Sequence, residues 1–176
     1  MATTQWVLYP THSELQFKVK HLMITTVTGK LKDISGTIEA EDDNFEQAQV
    51  HFSADLSSID TANADRDNHL KGADFFDIEK YPTITFKSTA FVKKGDDYQL
   101  TGDLTIREVT RPVSLNVEFG GIAKDPWGNV KAGFTINGKI NRTDFGLSWN
   151  AALETGGVLV SEDVRIQGEV QYTKQA

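Results

Sequence analysis

Apolar and polar residues alternate with a period of two over most of this chain, the pattern of half-buried β-strands. Leu15, Phe17 and Val19 alternate with Glu14, Gln16, Lys18 and Lys20, and Val50, Phe52, Ala54 and Leu56 alternate with His51, Ser53 and Asp55. The pattern continues through Ile84, Phe86, Ser88, Ala90 and Val92, then through Tyr98, Leu100, Gly102, Leu104 and Ile106. Val113, Leu115, Val117 and Phe119 form another row, as do Val130, Ala132, Phe134, Ile136, Gly138 and Ile140. Val164, Ile166, Gly168, Val170 and Tyr172 make the last. Each row has one apolar and one polar face, so the expectation is about eight antiparallel strands with mostly tight connections.

Between Ile24 and Ala40 the phase changes: Val27, Gly29 and Leu31 are odd, Ile34, Gly36, Ile38 and Ala40 even. A bulge or bend near Lys32–Asp33 restores a single apolar face. Turn signals fall at Glu41-Asp42-Asp43-Asn44, Lys94-Gly95-Asp96-Asp97 and Asp125-Pro126-Trp127-Gly128-Asn129. Only residues 61–80, and to a lesser degree 141–152, break the strand rhythm. Asn63 is an N-cap residue, Asp65 and Asp67 suit a first turn, Lys71 a last turn, and Gly72 follows. The spacing predicts a short helix over about 64–71, with a second turn from Asp74, all within a helical segment near 64–78.

A long one-sided sheet with almost no helix covers its apolar face by sandwiching or by closing into a barrel. Even patterning along strands of about eight to eleven residues favours an eight-stranded antiparallel barrel, all-β, formed by residues 1–176 as one domain. The inward rows mix large residues with small ones, among them Gly29, Gly36, Ala54, Ser88, Gly102, Ala132, Gly138 and Gly168. Either these glycines mark corners where the sheet curves, or they leave an internal apolar pocket, and the pocket is the working expectation. Such a pocket suits a hydrocarbon chain, since each buried CH₂ contributes about 0.8 kcal/mol. One isoprene unit then contributes up to about 4 kcal/mol before ordering costs.

Composition narrows the classes. The 176 residues carry 39% hydrophobic and 24% charged side chains, which is ordinary for a soluble globular domain. A formal charge of −7 argues against nucleic acid as a partner. The absence of cysteine removes disulfides, thiolate catalysis and Cys-based zinc sites. The opening MATTQWVLYPTHSEL lacks a basic, then apolar leader pattern, and no apolar run reaches the roughly 18 residues of a membrane span. A cytoplasmic location without membrane insertion is expected, or a periplasmic one if the sequence is a trimmed mature form.

Catalytic motifs are missing: no G-x-S-x-G, Walker loop, Rossmann fingerprint or H-E-x-x-H occurs. Asp42-x-Asn44-x-Glu46 starts like a calcium loop but has Gln47 where glycine is needed, so it reads as a hairpin turn. His12, His21 and His51 are scattered, and each reads as a surface or rim residue. Asp65 and His69 share a helix face at a spacing able to bind metal, yet no third ligand is evident. The acids of that stretch are accounted for as first-turn residues, with Asp67–Lys71 as a helical pair. No metal and no catalytic residue is expected.

Several blocks resemble the YceI-like proteins. HSELQFKVKHLMITTVTGKL is similar to the family's opening, and SIDTANADRDNHLKGADFFDIEKYPTITFKST to its most specific segment, with Arg66, Asp67, His69, Leu70, Phe75, Phe76, Tyr81-Pro82 and Phe86 in place. LTGDLTIREVTRPVSL, INRTDFGL and VSEDVRIQGEV are similar to later elements, so the resemblance covers nearly the whole chain. It implies a lipocalin-like barrel holding an isoprenoid or other long-chain amphiphile, with isoprenoid quinones and polyprenyl phosphates as associated ligands. It also implies frequent dimers and, in many relatives, a periplasmic location. Glu108 stands where the family usually carries glycine, and a Cβ there restricts the turn.

The reading is a non-enzymatic carrier or storage protein for a long apolar amphiphile: an isoprenoid quinone, a polyprenyl phosphate or a fatty-acid-like lipid. No cofactor is required beyond that bound lipid, and a homodimer is the expected self-association. The tail is expected along Phe17, Val19, Phe52, Phe86 and Leu100, and along Leu104, Val117, Phe119, Phe134 and Ile136. Arg66, Asp67 and His69 tie the helix to neighbouring loops, Phe75 and Phe76 pack at the barrel end, and Arg142 with Asp144 serves rim structure or head-group contact. The rivals are an isomerase or hydrolase using His69 or a barrel acid in the same cavity, and a ligand-free, stress-related interaction module with a filled core.

Overall fold

The alternating rows pair into one continuous antiparallel sheet that closes on itself. The computed structural model describes residues 3–175 apart from 23, 42, 74 and 148–160. Its strands are β1 (Thr3–Leu8), β2 (Glu14–His21), β3 (Thr25–Leu31), β4 (Ile34–Glu41), β5 (Asn44–Asp55) and β6 (Ile59–Asp60). Helix α1 (Ala64–Lys71) follows, then β7 (Thr83–Lys94), β8 (Asp97–Ile106), β9 (Val109–Lys124), β10 (Val130–Asn141) and β11 (Asp163–Lys174). Neighbours run β1-β4-β5-β7-β8-β9-β10-β11, and β1 returns to β11, closing an eight-stranded barrel.

β2 and β3 lengthen two of those staves. β1 pairs with β11 at Leu8↔Tyr172, and after the one-turn helix Pro10–His12, β2 continues along β11 at Leu15↔Gly168 and Phe17↔Ile166. Likewise β3 and β4 form one stave bent at Lys32–Asp33, where the sequence changes phase. The backbone N–H groups of both bend residues donate to Ser58 Oγ, at 3.1 and 2.9 Å, so the bend leaves neither donor without a partner.

Two further irregularities alter which residues face inward. In β5, Gln47 adopts φ +63 and the burial switches from Phe45, 0% exposed, to Ala48 and Val50. In β7, Thr89 is an extra residue between Ser88↔Gly102 and Ala90↔Thr101. Phe91 is therefore buried and Val92 is 44% exposed, the reverse of the simple alternation. One inserted residue flips every later side chain to the other face. Ser88 Oγ accepts from Val50 N–H at 2.7 Å, bridging β5 and β7 beside this bulge.

Those shifts fill one end of the barrel with aromatic rings. Phe45 lies 5.2 Å from Trp6, 5.4 Å from Phe119 and 5.1 Å from Phe134, while Phe91 stacks on Tyr98 at 4.8 Å. Trp6 and Phe45 are fully buried, so this end is a packed floor.

The helix spans the residues its caps predict. Asn63 Oδ1 accepts from Arg66 N–H at 3.0 Å, and Asp65 and Asp67 occupy the positive first turn. The expected second turn from Asp74 begins at a residue outside those described; the described residues of 72–80 form turns, with Phe76 N–H donating to Leu70 O and Tyr81 N–H to Asp77 O. The other interruption holds a short 3-10 helix, Arg142–Phe145, and the expectation for 148–152 lies outside the described residues.

Candidate ligand-binding cavity

Opposite the aromatic floor, the inward rows surround a cavity of about 570 Å³. That is within the roughly 300–1,000 Å³ of small-molecule sites. Its wall is apolar: Phe17 and Val19 from β2, Phe52 from β5, Phe86 from β7, Leu100 and Leu104 from β8, and Ile136 from β10. Val27, Ile84, Val113, Leu115, Ile140 and Ile166 are among the other apolar residues that line it. Tyr172 lies between wall and floor, 3% exposed, 6.2 Å from Phe134 and on the cavity lining. Burial pushes its phenol upward from the ordinary value.

The glycines act differently from simple gaps. A Cβ on Gly29 would lie 2.2 Å from Phe17 Cζ, one on Gly102 2.5 Å from Phe86 Cζ, and one on Gly138 2.2 Å from Leu115 Cδ2. The bulky side chains therefore lie over the glycines, along the barrel wall. The lumen stays clear because its largest residues are laid sideways.

Polar groups gather at the α1 end. Thr61, Asn63, Asp65, Arg66 and His69 border the cavity there, with Lys20, His21 and Arg142. Thr61 organises the helix: its N–H and hydroxyl both donate to Asp67 Oδ1, and its Oγ1 accepts from Arg66 Nε at 2.8 Å. Its carbonyl accepts from the same guanidinium. His69 meets the Phe75 ring edge-on at 5.1 Å.

Arg142 is buried, at 4% exposure, and spans two chain segments: Nε donates to Ser161 O at 2.9 Å and Nη1 to Leu147 O. Its backbone N–H donates to Glu162 O at 2.9 Å. Burial holds the guanidinium below its ordinary value, and the nearby Glu162 charge acts the other way. Asp144 is exposed, and its carbonyl accepts from Arg111 Nε at 3.3 Å.

Of the ten residues expected along the tail, Phe17, Val19, Phe52, Phe86, Leu100, Leu104 and Ile136 line this cavity. Val117, Phe119 and Phe134 do not; they belong to the packed end, where Phe119 and Phe134 stack at 5.3 Å and Val117 is paired in register with Tyr98. Arg66, His69, Phe75, Phe76 and Arg142 border the α1 end, whereas Asp67 is turned to Thr61. His21, read from the sequence as a surface or rim residue, borders the cavity, and Lys20 beside it had no signal of its own. They border the cavity because the β2 backbone continues its pairing onto Ser161, with Ser161 N–H donating to Lys20 O at 3.0 Å and Lys20 N–H to Ser161 Oγ.

Among the described residues, no three His, Asp or Glu side chains come together to hold a metal, and no helix is long and apolar enough to cross a membrane. What the geometry offers, among the described residues, is a largely apolar chamber with its charged groups gathered at one end.

Comparison with known proteins places this architecture. A UPF0312 protein of Staphylococcus epidermidis is 37% identical over 163 residues, 92% of this chain and 93% of its own. The crystal structure of a Campylobacter jejuni YceI protein superposes with a TM-score of 0.74 at 35% identity, covering 89% of this chain and 90% of that one. A polyisoprenoid-binding domain from Saccharophagus degradans, implicated in plant cell wall breakdown, shares the fold at 17% identity, with a TM-score of 0.66 over 97% of this chain and 98% of its own. The family model for the YceI-like domain matches residues 6–172, and the chain belongs to that family.

Proposed function

We propose that this protein binds and carries a long-chain amphiphile, tail inside the barrel and head group at the α1 end. The observation that carries the reading is the division of the lining among the described residues: apolar walls from eight staves, interrupted by Gln16 and the Tyr172 phenol, with the charged and most of the polar side chains, Lys20, His21, Thr61, Asn63, Asp65, Arg66, His69 and Arg142, gathered at the α1 end. An apolar tail gains about 0.8 kcal/mol for each buried CH₂, so affinity comes from length and shape. Lys20, Arg66 and Arg142 outnumber Asp65 at the head, which favours a carboxylate, phosphate or polarised carbonyl over a cationic group. Isoprenoid quinones, polyprenyl phosphates and fatty acids all satisfy these terms. The likeness to a polyisoprenoid-binding domain supports the fold this reading needs.

Binding without turnover is the form proposed. A hydrolase or isomerase needs an activated base beside the reacting carbon, and the described wall that surrounds the tail offers hydrocarbon side chains, the Tyr172 phenol and Gln16, whose amide donates to Glu14 at 2.8 Å. Organic extraction of gently purified protein, followed by mass spectrometry, is expected to release a long-chain lipid in near-stoichiometric amount. Protein that carries none, and that fails to take up a fluorescent fatty acid or polyprenol, would sink the proposal. Recovery of chemically altered lipid after incubation with fresh protein would replace it with the enzyme reading.

A further inference from the structure

The hairpin joining β2 to β3 presents Leu22 and Ile24 to solvent. Ile24 is 76% exposed and Leu22 36% exposed. Leu22 is held at φ +55, a conformation that costs a residue with a Cβ, and Ile24 N–H closes the turn on His21 O at 3.2 Å. Tight hairpin tips ordinarily use glycine, asparagine or aspartate. Here the turn is strained and still carries apolar side chains outward. The stems of this hairpin are part of the cavity, since Val19, Lys20, His21 and Val27 line it.

A second observation lies on the outer face just behind the tip. Lys139 of β10 is opposite Arg165 of β11, and Arg165 is opposite Lys18 of β2. Three cations thus stand side by side on adjacent strands, on the face away from Ile140, Ile166 and Phe17. Like charges directly opposite one another destabilise a sheet. Among the described residues, the ion pair in this row is Asp163 with Lys139, at 3.6 Å. On a chain of net charge −7, this is a local reversal of sign. Lys18 lies four residues from Leu22, about 13 Å along the strand, so the cations and the apolar tip can meet one surface together.

We propose that this end of the barrel docks on an anionic lipid bilayer: Leu22 and Ile24 enter the interfacial layer, and Lys18, Arg165 and Lys139 lie against the acidic head groups. The arrangement brings the α1 end of the cavity to the bilayer surface, so a lipid can pass between membrane and lumen with little exposure to water. It rests on the carrier reading and adds where the cargo is exchanged. The attachment is peripheral: a short apolar tip plus basic residues gives reversible interfacial binding.

The test is co-sedimentation of the full chain with vesicles of phosphatidylcholine alone, and of phosphatidylcholine mixed with phosphatidylglycerol. Binding is expected only with the anionic vesicles, weakening as salt is raised. Ile24→Ser is expected to weaken it about tenfold, and Lys18→Gln or Arg165→Gln about fivefold each. Trp127→Ser is the control, because Trp127 is 82% exposed on the β9–β10 turn at the opposite end. Equal binding to both vesicle types, wild-type binding by Ile24→Ser, or loss through Trp127→Ser overturns the docking. So does an Ile24→Ser effect on oligomeric state alone, which makes the tip a contact between copies. Lipid extraction on the same preparations separates the two ideas. Loaded protein that ignores anionic vesicles refutes docking and leaves the carrier standing; lipid-free protein that binds them refutes the carrier and leaves the docking surface.

Discussion

The tip of the Phe17 ring fills the space directly above Gly29, its cross-strand partner, so closely that a Cβ on the glycine would lie 2.2 Å from the ring Cζ. The pair keeps the lumen clear by turning an aromatic ring along the wall. Gly29→Ala should force Phe17 toward the barrel axis. The expected cost is about 1–3 kcal/mol of stability, with a larger relative loss of capacity for a long-chain probe. Adding Phe17→Leu should recover both, since the smaller side chain can clear the methyl group. Urea denaturation and titration with a fluorescent fatty acid measure the two effects. Additive losses in the double variant would show that the pair is not coupled.

Thr61 joins the helix to the strand before it through a buried hydroxyl that donates to Asp67 and accepts from Arg66. Thr61→Val keeps the shape and removes both bonds, leaving two charged partners short of a contact. A loss of about 1–3 kcal/mol is expected. Because Thr61, Asn63, Asp65, Arg66 and His69 border the cavity, release of bound lipid should also accelerate. Arg66→Ala should behave alike. Stopped-flow transfer of a fluorescent lipid to acceptor vesicles reads the release rate. Unchanged release in both variants, with stability reduced, would make α1 a structural cap with no part in retention.

Much of this architecture is legible in the residues, and the parts that are not have definite causes. Alternation identifies the inward rows, and the Asn63 cap with its acidic first turn gives the helix its limits. The bend at Lys32–Asp33 shows itself as a phase change between two otherwise regular rows. The bulges at Gln47 and Thr89 leave no such mark. Phe91 and Val92 are both apolar neighbours, so either reads as inward until the extra residue is placed. The same holds for depth: Phe86 in the wall and Phe134 by the floor have identical period-two signatures. Alternation reports the face of a strand and says nothing about position along the barrel axis. That is why Val117, Phe119 and Phe134 join the floor while their row-mates line the cavity.

The β8–β9 connection carries a strain that sequence comparison anticipates. Arg107 and Glu108 form a two-residue hairpin loop at φ +52 and +65, with Ile106 paired to Val109 across it. Both positions demand the left-handed region that glycine occupies without steric cost. The departure at Glu108 therefore keeps the turn and bears its strain. Glu108→Gly should stabilise the protein by about 0.5–1 kcal/mol, the relief of strain less the extra freedom of glycine in the unfolded chain. The melting temperature should rise by about 1–4 °C for a chain of this size. A decrease would mean that the glutamate side chain makes a contact worth more than the strain.

Tyr172 gives the barrel an alkaline weakness. Its phenol is buried at the junction of cavity and floor, and burial raises its titration above the ordinary value. In the unfolded chain the same group ionises near pH 10. Above that pH the unfolded state therefore binds fewer protons than the folded state, and stability falls as pH rises. The contribution is fully present below about pH 10 and is lost progressively toward the raised folded value. Tyr172→Phe keeps the ring against Phe134 and removes the titrating group. Urea midpoints for both proteins, measured from about pH 8 to about pH 11, should give parallel curves up to the tyrosine range and a shallower decline for the variant beyond it. Every other side chain is common to the two proteins, so the difference in slope isolates this one phenol. Identical slopes would place the Tyr172 hydroxyl in contact with water that enters the lumen.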